Sequence, residues 1–375
     1  MGGTLKELIL KLDNILLPSP SHLRAEAGCF CPDEAVHEAQ QLTAKLEDAN
    51  LILIITNKAD AHADAGIREL NKIGYPVLRI NTEDIISKYR FEINIKNDGL
   101  HGRIEDSLGR VFEFDRARVA WFRKPSHAFT GDIDGLDAER AQFAREETEA
   151  LLETLYSLPN MRWVNDPFAA ERAKVKVQQL KLATELGMHV PRTLVTADPR
   201  LAREFVDGLS SDVLVKAIYT SNVTLGGIHH GVLSCKLTKE DFEEYADSIK
   251  YCPTLIQEYC EKEFELRVTI VGSRVTAVRI DSQADPRTAV DWRAVPGAPQ
   301  SPFDLPQTML EFCKEFICRQ NLLYGAMDFI VSSEGEYFFL ENNPFGNYLW
   351  QDALDTIDIT GDMVDLLVKM DQGAT

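Results

Sequence analysis

The chain passes through blocks of differing hydrophobic period, and the changes of period mark its organisation. Residues 1 to 49 carry two amphipathic helical patterns, around Leu5 to Leu17 and Asp33 to Leu46, parted by the breaker-rich Pro18-Ser-Pro-Ser-His22. The continuous apolar run Leu51-Ile-Leu-Ile-Ile55 then predicts a strand. A helix near Ala63 to Ile73, the turn Gly74-Tyr-Pro76 and a second strand, Val77 to Ile80, follow it. Strand, helix, strand implies a parallel α/β unit. Phe91 to Ile95, Gly102 to Glu105 and Val111 to Phe114 read as short antiparallel strands, and Arg118 to Arg123 as another strand ending in basic residues. A loop and a long helix fill positions 131 to 158.

The signals change at Asn165-Asp166-Pro167, where Asp166 can cap a helix, Pro167 suits its first turn and Gly187 can end it. Strands are predicted at Thr193 to Thr196 and Val213 to Ile218, with helices near Pro199 to Val206 and Lys239 to Ile249. From Thr254 the pattern is strand-rich: Thr254 to Tyr259, then Glu265 to Val271 and Arg274 to Asp281, a hairpin turning at Gly272-Ser273. A helix over Pro306 to Gln320, a final hairpin and a terminal helix around Gly361 to Met370 complete the chain.

With 375 residues, 45% hydrophobic and 26% charged, the chain can bury a sizeable core. Its formal charge of −19 repels phosphate backbones and anionic lipid, so nucleic acid and membrane surfaces are expected not to be partners. No apolar run approaches the roughly 20 residues that span a bilayer. The seven cysteines are odd in number and scattered, with no secretory leader ahead of them, which points to a reducing cytoplasm. Cys29-x-Cys31 lacks a second pair with zinc-like spacing.

The densest chemistry lies in the last hairpin, Tyr324 to Pro344. Taking Glu334-Gly335 as a two-residue loop, Ser333 faces Glu336 and, counting outward, Asp328 faces Glu341. Opposed acids repel unless something positive lies between them. Asn343 falls on the face of Glu341 two residues on. Two carboxylates and an amide oxygen are hard donors suited to Mg²⁺, which keeps positions for phosphate and water. Lys216 sits in an apolar strand, where its ammonium calls for an anion. Lys176 on a helix, Arg267 on a strand and Arg293 after Asp291-Trp292 add positive groups, although each alone would pass as a surface residue.

Taken together, these residues resemble the ATP-grasp superfamily, and more narrowly the ligases that mature microviridin-type peptides, the graspetide synthetases. Lys176-x-x-Gln179-Leu180, Val213-Leu-Val-Lys216, Ile256-Gln-Glu-Tyr-Cys260, Glu265-Leu-Arg267, Asp291-Trp-Arg293, Asp328, Glu341-x-Asn343 and Pro344-x-Gly346-x-x-Leu349-Trp350 carry the resemblance, with Leu51 to Asp60 and Val119 to Lys124 ahead of them. The resemblance implies an α/β and α+β ATP-grasp fold with a preceding small α/β lobe and an N-terminal helical extension. The expected parts are 1–49, the extension; 50–164, the preceding lobe; 165–252, the central lobe; and 253–375, the C-terminal lobe.

It further implies ATP and Mg²⁺. Lys176, Lys216, Gln257, Glu258, Tyr259 and Cys260 would bind nucleotide, Asp328, Glu341 and Asn343 would bind metal, and Arg267 and Arg293 would be catalytic. Arg123, Lys124, Arg279 and Trp350 would meet substrate. The implied activity is macrocyclisation: Asp or Glu carboxylates of a ribosomal precursor peptide with a leader are joined to its Thr, Ser or Lys side chains through an acyl phosphate. A homodimer is expected by analogy alone. A ligase joining an amino acid or small amine to a carboxylate would share every nucleotide residue, and a regulatory nucleotide-binding module is the reading from another class. The loop Thr220 to Gly227 departs from the family in being less glycine-rich. Because an acidic peptide meets a chain of −19, association should gain little speed as salt is lowered; stopped-flow on-rates rising steeply at low ionic strength would contradict this.

Overall fold

The computed structural model describes residues 16–18, 51–107, 109–114, 117–126, 135–158, 160–219, 222–225, 228–232, 234–295 and 297–373. Its first element is the short strand β1 (Leu16–Pro18). The helical pattern expected to reach Leu17 therefore does not run through Leu16 and Leu17, consistent with the extended backbone that a following proline imposes. The rest of that pattern, the one around Asp33 to Leu46 and the Cys29-x-Cys31 pair lie outside the described residues.

The preceding unit follows as expected. Strand β2 (Leu51–Thr56), helix α1 (Ala61–Lys72), strand β3 (Val77–Asn81) and the single turn α2 (Ile85–Lys88) lead to the antiparallel strands β4 (Tyr89–Lys96), β5 (Gly99–Asp106) and β6 (Val111–Glu113). Strand β7 (Ala117–Phe122), helix α3 (Ala138–Tyr156) and strand β8 (Arg162–Val164) close it. The sheet order β3-β2-β7-β8 is parallel throughout. Every residue of β2 is buried because the sheet is covered on both faces. Leu51, Leu53 and Ile55 enter one core with Trp163, Phe329 and Phe339, whereas Ile52 and Ile54 enter another with Trp121, Tyr348, Met363 and Leu367.

Asp166 caps helix α4 (Pro167–Ala173), accepting the Ala169 amide at 2.7 Å. The single helix expected up to Gly187 is divided: α5 (Lys176–Glu185) restarts after an extended Val175, which puts Lys176 in the first turn. Strand β9 (Thr193–Thr196), helix α6 (Pro199–Asp207), strands β10 (Val213–Lys216), β11 (Asn222–Leu225), β12 (Ile228–Val232) and β13 (Cys235–Leu237), helix α7 (Lys239–Tyr245) and strand β14 (Thr254–Glu258) build the central part. Its antiparallel sheet runs β13-β10-β14-β9. Strand β14 thus pairs between β10 and β9, on the far side of the expected boundary at 252/253. Asn222 to Leu225, expected as loop, pairs with β12, whose other edge receives β1; Thr220, Ser221, Gly226 and Gly227 lie outside the described residues.

The last part comprises β15 (Phe264–Val271), β16 (Arg274–Ile280), β17 (Gln300–Pro302), α8 (Gln307–Arg319), β18 (Tyr324–Val331), β19 (Tyr337–Asn343) and α9 (Ile359–Asp371), with sheet order β17-β16-β15-β18-β19. Helix α9 returns to the first sheet, and Met363, Val364, Leu367 and Met370 cover the face that shows Ile52, Ile54 and Trp121.

Asn165, 1% exposed, joins the parts. Its Oδ1 accepts the amides of Leu323 and Tyr324, both at 2.8 Å, while its Nδ2 donates to Tyr324 O at 2.8 Å and Pro344 O at 3.3 Å. Truncation leaves buried backbone groups without partners, at about 1–3 kcal/mol each before relaxation. Asn165→Ala should therefore lose at least about 2 kcal/mol in urea unfolding; an unchanged midpoint would remove Asn165 from this role.

Candidate active site

A cleft lies between the central sheet and the five-stranded sheet, with Leu214, Lys216 and Gln257 on one wall and Asp328, Ile330, Leu340 and Glu341 on the other. Its position follows from the final hairpin. Asp328 pairs directly with Glu341 and Ala326 with Asn343, as counted from the sequence. The route differs: Val331 pairs with Tyr337, one residue out of the counted register, because the turn is longer and Gly335 adopts φ +80°. An irregularity between Asp328 and Phe329, opposite Leu340, restores the pairing. Such a bulge puts two residues of one strand against one of the other and re-aims the side chains beyond it.

The two carboxylates occupy unlike surroundings. Burial pushes Asp328 up to about 6, against the pull of Arg267, and the Glu341 charge adds to the rise. Burial acts the same way on Glu341, but Lys176, Arg293 and Lys216 outweigh it and hold that carboxyl below its ordinary range. Arg267 Nε lies 3.1 Å from Asp328 Oδ1, and Lys176 Nζ 3.3 Å from Glu341 Oε2. Lys176 also donates to Ala217 O at 3.2 Å.

Lys216 ends β10, and its ammonium donates to Gln257 Oε1 at 2.7 Å. Burial pushes it down to about 8, with Glu341 pulling the other way. Gln257, 2% exposed, passes its amide to Thr193 Oγ1 at 2.9 Å, so this side chain aims Lys216 from behind. The expected hinge is partly committed. The Glu258 amide donates to Arg192 O at 2.8 Å, the Tyr259 amide to Asp212 O at 2.9 Å, and Lys236 Nζ lies 3.6 Å from the Tyr259 ring centre. Cys260 reaches the cleft, its thiol pushed by burial up to about 11.

Arg293 grips Asp291 with two hydrogen bonds, at 2.8 and 2.7 Å, and lines the cleft. Arg267 stands one layer back, 6% exposed, behind Asp328. Its Nε ion-pairs with Asp328 without hydrogen-bond geometry, and its Nη1 has no hydrogen-bond partner among the described residues. Asn343 is exposed on the wall, its Oδ1 accepting the Phe345 amide at 2.9 Å.

The residues expected to meet substrate fall elsewhere. Arg123 is 1% exposed and turned inward, where its guanidinium serves backbone oxygens, so it does not face the cleft. Lys124 beside it is exposed but stands away from the cleft lining. Arg279 lies over the Phe264 ring at 3.9 Å and bonds Asp281 at 2.6 Å, also away from the lining. Trp350 packs behind Trp292, ring centres 5.2 Å apart, and Trp292 is the one that reaches the cleft. Lys262, unmarked by any sequence period, lines the cleft from a loop and pairs with Glu265 at 2.7 Å. The lining charges balance, Lys174, Lys176, Lys216, Lys262 and Arg293 against Glu258, Glu265, Asp291, Asp328 and Glu341, within a chain of −19.

Among the described residues no helix is long and apolar enough to cross a membrane, and Cys235, Cys252, Cys260, Cys313 and Cys318 are free thiols.

No protein-family model and no curated protein matches the sequence. Solved structures do. A RiPP-associated ATP-grasp ligase of Chryseobacterium gregarium, in complex with ADP and a leader and core peptide, is 28% identical; the match covers 85% of this chain and 97% of that one, with a TM-score of 0.77. Macrocyclase MdnB from Microcystis aeruginosa is 25% identical over 85% of this chain and 99% of its own, TM-score 0.71. Macrocyclase MdnC of the same organism, bound with precursor peptide MdnA, matches at 23% identity, with the same two coverages and a TM-score of 0.75, and so bears on the fold. By these matches the chain is an ATP-grasp ligase with the architecture of the graspetide-type peptide ligases.

Proposed function

We propose that this chain is an ATP-dependent peptide macrocyclase, joining Asp or Glu carboxylates of a ribosomally made precursor to its Thr, Ser or Lys side chains. The observation that carries the reading is the facing pair Asp328 and Glu341 at the wall of a lysine-lined cleft, in a chain similar along most of its length to a ligase solved with ADP, leader and core peptide. A cytoplasmic setting and the division into preceding, central and C-terminal lobes belong to the same reading.

ATP is the first substrate. In this reading Lys176 and Lys216 grip its phosphates, and the Ile256 to Cys260 hinge borders the base. With two phosphate-binding groups already ammonium ions, the remaining donors fit a divalent cation. Asp328, Glu341 and the Asn343 oxygen are hard donors at the cleft wall that would leave positions to phosphate and water, as Mg²⁺ prefers. When bound, the ion would supply positive charge to the phosphates.

The chain's own groups then position and neutralise. A substrate carboxylate attacks the γ-phosphorus, an oxygen–phosphorus bond forms, the bond to the β-phosphate oxygen breaks and ADP leaves. A hydroxyl or amine next attacks the acyl carbon, its proton passes to solvent or the leaving phosphate, and the carbon–oxygen bond to phosphate breaks with the electron pair leaving on phosphate, giving ester or amide. Arg293 at the wall and Arg267, with its orphaned donors behind Asp328, balance the charge gathering on the transferred group. No enzyme nucleophile is needed.

Incubation with ATP, Mg²⁺ and a candidate precursor should yield ADP and a peptide lighter by one water per bond; ADP without mass loss would refute macrocyclisation. Asp328→Asn and Glu341→Gln should abolish turnover with folding intact, and Arg267→Ala should lower kcat by about 10²–10³ with a smaller effect on ATP affinity. Normal cyclisation by Glu341→Gln would defeat the metal assignment. The depressed Lys216 group gives a pH dependence: charged below about 8 and neutral above, it loses its attraction for triphosphate as pH rises. Calorimetric affinity for AMPPNP at fixed Mg²⁺ should fall between pH 7 and 9, and Lys216→Arg should flatten that limb; a flat wild-type profile would exclude Lys216 from phosphate binding.

A further inference from the structure

Behind the cleft, the first parallel sheet holds the segment that follows Asn343. Arg123, one residue past the end of β7, sends Nη1 to Phe345 O at 2.7 Å, and Nη2 to Gly346 O at 3.2 Å and Asn347 Oδ1 at 3.1 Å. Asp60, the N-cap of α1, lies 3.9 Å from Arg123 Nε and accepts Thr56 Oγ1 at 2.6 Å. His62 stands alongside, Nδ1 3.3 Å from Asp60 Oδ1, and its Nε2 accepts the Tyr348 amide at 3.0 Å. From the other side Tyr324 donates its hydroxyl to Gly346 O at 2.7 Å.

The arrangement is costly in the way positioning devices are. Desolvating a guanidinium and a carboxylate is repaid poorly by an ion pair that makes no close hydrogen bond. The donors go instead to three successive residues of one loop, which fixes its path more tightly than it stabilises the fold. The loop has little room to shift: a Cβ on Gly346 would stand 2.3 Å from Ala326 Cβ and 3.4 Å from Arg267 Nη1. The same loop starts at Asn343 and ties that side chain to the Phe345 amide. Moving Phe345 and Gly346 therefore moves Asn343 and the neighbourhood of Arg267 together.

We propose that Arg123, backed by Asp60 and His62, is a positioning residue: it clamps the loop from Phe345 to Tyr348 so that Asn343 and Arg267 keep their separation from Asp328 and Glu341. The proposal rests on reading Asp328, Glu341 and Asn343 as divalent-ion donors. The test uses the full chain with AMPPNP and Mn²⁺ as a spectroscopic probe, its bound fraction read by electron paramagnetic resonance. Arg123→Lys keeps the charge but cannot span three acceptors, and should weaken Mn²⁺ binding about tenfold, as outer partners of metal ligands do. Asn347→Ala, at an exposed position, removes one of the three bonds and should weaken it about threefold. Arg123→Ala should recover affinity with added guanidinium and not with ethylammonium.

Glu341→Gln separates the two claims. If it binds Mn²⁺ as wild type does, the donor reading fails, and the clamp with it. If Glu341→Gln loses binding while folded Arg123→Lys and Asn347→Ala bind normally, the clamp alone is overturned. Should the Arg123 variants fail to fold, Asn347→Ala decides.

Discussion

Two carboxylates facing each other across a buried antiparallel pair repel, and the cleft is organised around that repulsion. Asp328 and Glu341 could not share one wall of an apolar hairpin without cations from other elements: Arg267 from the adjacent strand, Lys176 from a helix start, Lys216 from the central sheet and Arg293 from a loop. The cations divide unequally. Glu341 has three and stays ionised, whereas burial dominates at Asp328 and raises it. Asp328 keeps one cation at contact range, Arg267, so its charge is the less well compensated of the two. In the proposed reading, the lysines that hold the acids would be free to meet a triphosphate once a divalent ion took over the acids.

Lys176 and Lys216 reach the pair because of local breaks in regular structure, whereas Arg267 reaches it from the middle of β15. The interruption at Val175 places Lys176 in a first turn, directed at the cleft instead of along a continuous helix. The end of β10 frees Lys216, and Gln257 on the neighbouring strand sets its direction. The hairpin irregularity opposite Leu340 turns Glu341 toward Asp328. Regular elements provide the stiffness, and the breaks provide the aim, in keeping with the concentration of binding groups where a rigid scaffold ends.

Much of this was legible in sequence because it is local. An all-apolar run with a helix behind it reads as a covered parallel strand, and Gly272-Ser273 reads as a two-residue hairpin turn. Opposition of Asp328 and Glu341 was also legible, though by a count in which a longer turn and a bulge cancel. What escaped depends on what lies across from a residue. Arg123 closes a basic-looking strand and reads as surface, yet the loop from Phe345 to Tyr348, over 200 positions away, covers it completely. Arg279 reads as available until Asp281 and Phe264 are seen to occupy it. Lys262 has no periodic context at all, and β14 reads as the start of the last part because period alone does not name a strand's neighbours.

The overall charge and the cleft charge follow different rules, which bears on how an acidic peptide can be a substrate of an acidic protein. A field of −19 acts at a distance and is screened over about 8 Å at physiological ionic strength. Within the cleft, five cations and five acids line the same walls, and at such short range each pairing counts for more than the distant surface. In the proposed reading, selection of a carboxylate falls to the short-range geometry around Arg293 and the lysines, and capture of the peptide to groups that do not rely on net charge. On that reading the long-range field is attenuated by salt before it reaches the reacting carboxyl, and the cleft's own balance would decide which carboxyl is held against the γ-phosphate.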